Sequence, residues 1–286
     1  MASSIAESFR RRTLSQRSGS ANLIWAFVER QTNLWKRYWA WELVWLVYGV
    51  VNTLAITFIA EEAQAAGITS DASGLVLFLL LGTLVWAYLS AVLDDISLVI
   101  TWERWEGTIE HTLMAPVPRS LHLIGMCVFG ILHAIARTML IFLIALPFFD
   151  VGLGQADWLS AAAVIAVGSI SVAGLGILTG ILPLLYPERG TQMSFMIQAI
   201  VLLVSGVYYS VDVLPPWLRM FSYISPATYL LDGIRAAIID GQGLAGVWDE
   251  LLILAGFGLV LVPGGIVVFA IAERYAKKTG QLKRQG

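Results

Sequence analysis

Residues 72–93 read ASGLVLFLLLGTLVWAYLSAVL, an uncharged stretch held between Asp71 and Asp94. A helix needs about 20 mostly apolar residues to cross the hydrocarbon core of a bilayer, and this stretch has that length. The same punctuation recurs outward in both directions. Leu43–Ala60 lies between Glu42 and Glu61, Trp158–Pro187 between Asp157 and Glu188, Gly190–Val211 between Arg189 and Asp212, and Leu251–Ala272 between Glu250 and Glu273. Ser120–Phe149 is broken only by Arg137. Six spans are therefore expected, at about 42–61, 73–93, 120–148, 158–184, 191–211 and 250–272. Between their flanking charges they hold no Asp or Glu.

Composition agrees. Of 286 residues, 58% are hydrophobic and 13% charged, against about 25% charged in soluble domains. Mean hydropathy is +0.76. Such a chain would aggregate unless lipid covered it, so the class is all-α integral membrane. A net charge of −2 gives no reason to expect a nucleic-acid partner.

Lys and Arg fall unevenly. With both termini placed inside, fifteen lie in inside segments, whereas the outside segments hold only Arg219 and Arg235. This asymmetry predicts cytoplasmic termini in a plasma or inner membrane. Trp39, Trp41, Trp158 and Trp248 fall near the expected interfaces, where tryptophan is enriched. Residues 1–22 carry Arg10, Arg11, Arg12 and Arg17 without an apolar run, so no cleavable signal peptide is expected. The reading is a disordered cytoplasmic tail over 1–19, one transmembrane domain over 20–273, and a basic cytoplasmic tail over 274–286.

Residues 22–39 read as a helix lying in the membrane surface. At 100° per residue, Leu23, Ile24, Phe27, Val28, Leu34, Trp35, Tyr38 and Trp39 share an arc of about 160°. Glu29, Arg30, Asn33, Lys36 and Arg37 lie opposite, and Gln31 is the one polar residue on the apolar arc. A basic face of this kind suits anionic headgroups. The helix is either a passive anchor or a lever that passes motion into the first span.

Residues 94–119, DDISLVITWERWEGTIEHTLMAPVPR, carry a second surface pattern. Trp102, Trp105, Ile109 and Leu113 make one stripe of a short helix, with Glu103, Arg104, Glu106 and Glu110 largely off it. Gly107 is a poor helix former and suggests a bend or a close backbone approach. Pro116 and Pro118 end the helix. Its acidic face is either solvated or docks on a soluble partner through that partner's Arg and Lys.

Residues 205–239, SGVYYSVDVLPPWLRMFSYISPATYLLDGIRAAII, contain short apolar pieces divided at Pro215-Pro216 and Pro226. Neither piece is long enough to cross, which predicts a re-entrant hairpin at the outer side, acting as a structural cap or as a closure. Asp232 and Arg235, three apart, are spaced to pair on one helix face.

Two separated motifs carry a family resemblance. Glu103-Arg104-x-x-Gly107-Thr108-Ile109-Glu110, with Leu113, Ala115, Pro116 and Val117, resembles the coupling segment in membrane subunits of type-2 ABC exporters. Ser205, Gly206, Tyr208, Tyr209, Leu214, Pro215, Trp217, Tyr223, Ile224, Pro226, Thr228, Tyr229, Asp232 and Arg235 resemble the outer hairpin of the same family. Ser225 departs from it, since many members have Asn there. The likeness covers roughly residues 20–272. It implies an exporter permease that homodimerises, and the short loops, with no large outer domain, favour a hydrophobic or amphipathic cargo such as a drug, lipid or lipid-linked glycan. Glu103, Arg104, Glu106, Gly107, Thr108 and Glu110 would meet a separate ATPase, two copies per dimer, which holds the ATP and Mg. Tyr208, Tyr209, Pro215, Trp217 and Pro226 would form the outer hairpin or gate.

The remaining features are weighed singly. Arg137 within a span either attracts an anionic substrate headgroup or snorkels or pairs with a carboxylate or carbonyls. His111, His122 and His133, eleven residues apart, would sit about 16 Å from one another along a continuous helix, too far to share a metal. Cys127 reads as a small core or lipid-facing residue. Gly168, Ser169, Ser171, Gly174, Gly176 and Gly180 on the fourth span permit close helix packing, within the subunit by default, with a dimer interface or a flexible gate as the alternatives. No G-x-x-x-x-G-K-[ST] occurs, so the chain holds no P-loop and offers no catalytic residues. The competing class is an ATP-independent carrier or scaffold; a carrier would show coupling carboxylates at mid-span.

Overall fold

The computed structural model of the protein describes residues 2–66, 72–115, 117–149, 151–186 and 188–279, without the side chains of residues 2–18, 64, 65, 72, 110 and 113. Among the described residues there is helix and no strand. Hydrocarbon offers no partner to a backbone N–H or C=O, so a chain this apolar satisfies them within helices. In order these are α1 (Ala2–Arg37), α2 (Trp39–Ala65), α3 (Ala72–Trp105), α4 (Ile109–Met114), α5 (Arg119–Ala145), α6 (Trp158–Leu185), α7 (Gly190–Val204), α8 (Pro216–Ser222), α9 (Pro226–Ile238) and α10 (Trp248–Thr279).

Five helices, α2, α3, α5, α6 and α10, are long and apolar enough to cross a bilayer. The sixth expected crossing, 191–211, does not appear as one helix. With 15 residues, α7 is about 22 Å long, short of a core of about 30 Å. It stops at Val204, and Gly206 follows with φ +69°, a left-handed conformation open to glycine.

Helix also extends beyond the expected limits. Residues 2–18 contain neither Gly nor Pro, and α1 runs from Ala2, so the segment read as a disordered tail over 1–19 is helical from residue 2. At the other end α10 reaches Thr279, taking in the first part of the basic tail; residues 280–286 lie outside the described residues. The largest difference is in α3. Asp94 and Asp95 do not end it, and it continues to Trp105. The span therefore does hold carboxylates. They are tolerated because each is met: Gln198 Nε2 donates to Asp94 at 2.6 Å, and His133 Nδ1 lies 2.6 Å from Asp95.

α3 and α6 form the centre. In its most apolar window, α3 is 72% buried and α6 56%, against 22% for each of α2, α5 and α10. The outer three thus present apolar sides to lipid or to another chain. Small residues on α6 let its neighbours close in. A Cβ on Gly174 would meet the α10 backbone at Leu261 and Val262, and one on Gly176 would meet Ile96 of α3. Ser171 Oγ donates to the Leu254 carbonyl of α10 at 2.5 Å, and Tyr88 of α3 bonds Ser169 at 2.5 Å. These small residues serve packing within the subunit.

α8 and α9 are two short helices, and α9 packs against α6 and α10. Going up α9, Leu230 packs on Gly168, Gly233 on Val164, and the Ala237 carbonyl accepts from the Asp157 N–H. The N-terminal end of α9 therefore reaches the depth of Gly168, eleven residues into α6, or about 16 Å from its start. There Ser222 Oγ donates to the Val204 carbonyl at 2.6 Å, and Ser205 bonds Ser225 at 2.9 Å. Protein groups so satisfy the broken backbone at depth.

Replacing Gly174 with Ala forces α6 from α10 and is expected to cost about 1–3 kcal/mol. Gly256, with nothing within 4 Å of a Cβ, is expected to accept Ala without loss. Thermal unfolding of the two variants in detergent checks the contrast.

Candidate functional site

The end of the bundle carrying α4 collects the charged contacts predicted to couple the chain to a partner, in an arrangement different from the expected one. The helix expected across 102–113 is two pieces. α3 ends at Trp105, Gly107 turns with φ +71°, and α4 takes up six residues from Ile109. Gly107 is the bend that its poor helix propensity suggested, and only glycine takes that backbone conformation cheaply. The turn splits the predicted stripe: Ile109 is buried, Trp102 half-buried and Trp105 exposed.

Glu103 and Arg104, expected on an outward acidic face, point inward, each 1% exposed. Arg30 of α1 donates to Glu103 Oε1 at 2.5 Å, and its other nitrogen reaches Thr108 Oγ1 at 3.2 Å. Thr112 of α4 donates to the same Glu103 oxygen at 3.4 Å. His122 Nε2 of α5 lies 3.7 Å away, beyond a hydrogen bond but within reach of the charge. Arg104 Nη2 donates to the Leu184 carbonyl at 2.5 Å, meeting a group that the C-terminus of α6 leaves free.

A second ion pair extends the network. Arg119, at the start of α5, pairs with Glu273 of α10 at 2.8 Å and donates to the Thr112 carbonyl at 3.0 Å. Lys277 pairs with Glu273 at 2.7 Å. α4 is thereby tied through Thr112 to both networks. Arg30, Thr112, Arg119, His122 and Glu273 went unremarked as a site in the sequence because they are far apart in it; the unusual feature was a Glu and an Arg side by side at the end of a span. Glu106 and Gly107 are half-exposed, and His111 and Met114 join Trp105 on the outer surface. The side chain of Glu110 lies outside the described residues, as do that of Leu113 and the whole of Pro116.

Along α1, Phe27 and Val28 do not face lipid. The Phe27 ring packs against His122 at a tilt, 4.7 Å between centroids, and Gly125 of α5 leaves room for it. Trp25 and Trp39 do face outward. Arg137 Nη2 donates to the Trp45 carbonyl at 3.3 Å, with Glu42, Asp94 and Asp95 in electrostatic reach. This is the pairing alternative for that residue.

In the hairpin, Arg235 does not form the expected hydrogen-bonded pair with Asp232, which keeps only its longer-range charge effect. Its guanidinium donates to the Gly206 and Val207 carbonyls at 3.0 and 2.8 Å and lies 3.6 Å over the Phe78 ring. Gly82 lets the Val207 carbonyl press on α3. Pro226 is buried, Tyr208 half-buried against the core, and Tyr209 donates to the Leu203 carbonyl at 2.5 Å. Pro215 and Trp217 are exposed. The five predicted hairpin residues therefore do not converge on one spot.

Residues 22–239, which include α4, the Glu103 cluster and the hairpin, match the sequence model of the ABC-2 type transporter family. The chain is also similar to the inner membrane transport permease YadH of Escherichia coli K12, with 23% identity over 241 residues that cover 84% of this chain and 88% of the relative. The proteins of the same name from Escherichia coli O157:H7 and Shigella flexneri give the same figures.

Glu103→Gln keeps the shape and removes the charge that Arg30 answers. It is expected to cost about 1–3 kcal/mol, below the 3–5 of a fully buried pair because Arg30 is partly exposed. Half-exposed Glu106→Gln is expected to stay within about 0.5 kcal/mol of the parent. Unfolding midpoints of both variants measure the difference.

Proposed function

The chain belongs to the ABC-2 type transporter family, the transmembrane subunits of ABC transporters, and on that premise we propose that it exports a hydrophobic or amphipathic substrate with energy from a separate ATPase. A drug, a lipid or a lipid-linked glycan fits that description. Two copies of the chain and two ATPases, which hold the ATP and Mg, make the working unit. The α4 end faces the cytoplasm in this reading, in line with the Lys and Arg distribution. α7 and the hairpin together supply the sixth crossing.

The observation that carries the proposal is the mounting of α4. The end of α3, the turn and α4 together offer Trp105, Glu106, Gly107, His111 and Met114 outward, while on the inner side Thr112 bonds Glu103 of α3 and Arg119 of α5, whose ion pairs reach α1 and α10. A partner seated on the outer side would move an element that four helices hold. Closure of the ATPases on ATP would then favour one arrangement of the bundle over the other by the difference in binding free energy. Glu103, Arg104 and Thr108 act in this scheme as the inner anchors, and Glu106 and Gly107 as rim contacts. Arg137 is not given a place in the substrate path, because nearby carboxylates already answer its charge.

One observation favours a second reading. Asp94 and Asp95 lie inside α3 with Glu42 close by, and carboxylates so placed are what an ion-coupled carrier uses. Vesicle transport driven by an ion gradient, with no ATPase present, would support that class.

Trp105→Ala combined with Glu106→Lys is expected to weaken assembly with the ATPase about tenfold or more, as removal of an exposed aromatic anchor does. The unfolding midpoint should be kept. Copurification and stimulated ATP hydrolysis measure the loss, and unchanged values for both would remove the turn between α3 and α4 from the coupling scheme.

A further inference from the structure

Where α1, α2, α3 and α5 meet, a crevice lies apart from α4 and takes no part in the coupling scheme. Trp35, Tyr38, Trp41, Trp45 and Trp102 line it, and Glu42, Asp94 and Asp95 supply its charge. The cations beside these carboxylates are His133, whose ring lies between Asp95 at 2.6 Å and Glu42 at 3.4 Å, and Arg137, while Arg37 lies 5.8 Å over the ring of Tyr38. Within the cluster of Glu42, Asp94, Asp95, His133 and Arg137, three carboxylates against two cations leave one negative charge in excess. Aromatic faces beside carboxylates are the chemistry that recognises an organic ammonium.

Gln31 is an independent pointer. It is the one polar residue on the apolar arc of α1, it is 6% exposed, its Nε2 has no hydrogen-bond partner, and it lines this crevice. A buried amide donor of that kind calls for an acceptor. Trp35, Glu42, Phe129 and Arg137 also line an adjoining, mostly apolar groove between α2 and α5 that runs along Leu43, Leu46, Leu132 and Leu140. A charged aromatic head and an apolar tail, side by side, describe an amphiphile.

We propose that this junction binds one membrane phospholipid with a zwitterionic, ammonium-bearing headgroup, of which phosphatidylethanolamine is the simplest. The ammonium sits against Glu42, Asp95 and the tryptophan faces, a phosphate oxygen accepts from Gln31, and an acyl chain fills the groove between α2 and α5. Anionic phospholipids are disfavoured by the excess negative charge. The bound lipid would fasten α1 to the first crossing helix at the membrane surface.

Native mass spectrometry of the full chain in detergent, titrated with lipids of equal chain length, tests this. Phosphatidylethanolamine is expected to bind about fivefold or more tightly than phosphatidylglycerol, and its N-acetylated form, which keeps the phosphate and loses the ammonium, to fall to the phosphatidylglycerol level. Glu42→Gln, Gln31→Leu and Trp41→Ala should each weaken phosphatidylethanolamine binding, while Trp248→Ala, at the start of α10, should not. Trp41 is 55% exposed, so its replacement leaves the fold intact, and the comparison of lipids on the unaltered chain needs no variant. Equal binding of the three lipids, or undiminished binding by the three variants, overturns the proposal. Binding of dodecyltrimethylammonium without any preference for phosphatidylethanolamine overturns it in favour of a soluble cationic amphiphile.

Discussion

A carboxylate buried at the end of α3 needs a partner, and Glu103 finds it in Arg30 of α1. Removing an ionised group from water costs several kcal/mol unless charge and hydrogen bonds replace the water. Arg30, Thr112 and the nearby His122 supply that replacement from three different elements. Because one oxygen serves all three, α1, α4 and α5 cannot shift independently of α3 without uncovering it. The Arg119–Glu273 pair extends the same constraint to α10, and the Arg104 contact to the Leu184 carbonyl extends it to α6. The exposed side of α4 is thus narrow, while its inner side is tied into two networks.

The hairpin obeys the same need with uncharged acceptors. α7 ends within the depth of the bundle, where its last carbonyls would be unsatisfied in lipid. Arg235 covers Gly206 and Val207, and Ser222 covers Val204. Phe78 lies under the guanidinium and lowers the cost of holding it there.

Much of this was legible in the sequence, and what was not has a common cause. The long apolar helices follow from the spacing of charges, the bend at Gly107 from its poor propensity, and the short helices α8 and α9 from two apolar pieces divided by prolines. Asp94 and Asp95 read as a boundary because a charge at the end of an apolar run normally meets water. Here their partners, His133 and Gln198, come from 38 and 104 residues away. Glu103 read as outward for the same reason, its partner being 73 residues earlier. Local pattern reports a side chain's chemistry and its angle on a helix. It does not report which distant residue will stand opposite.

The length of α3 has a mechanical consequence. It holds Phe78 near one end and Glu103 near the other, with no proline between. A rod of 34 residues is about 50 Å long, so a tilt of about 5° about one end carries the other through about 4 Å. The Gly82 contact with the turn after α7 and the Glu103 contact with α1 are therefore gauges on the two ends of one stiff beam. Neither can be read without the other, and leverage rather than deformation sets how far each moves.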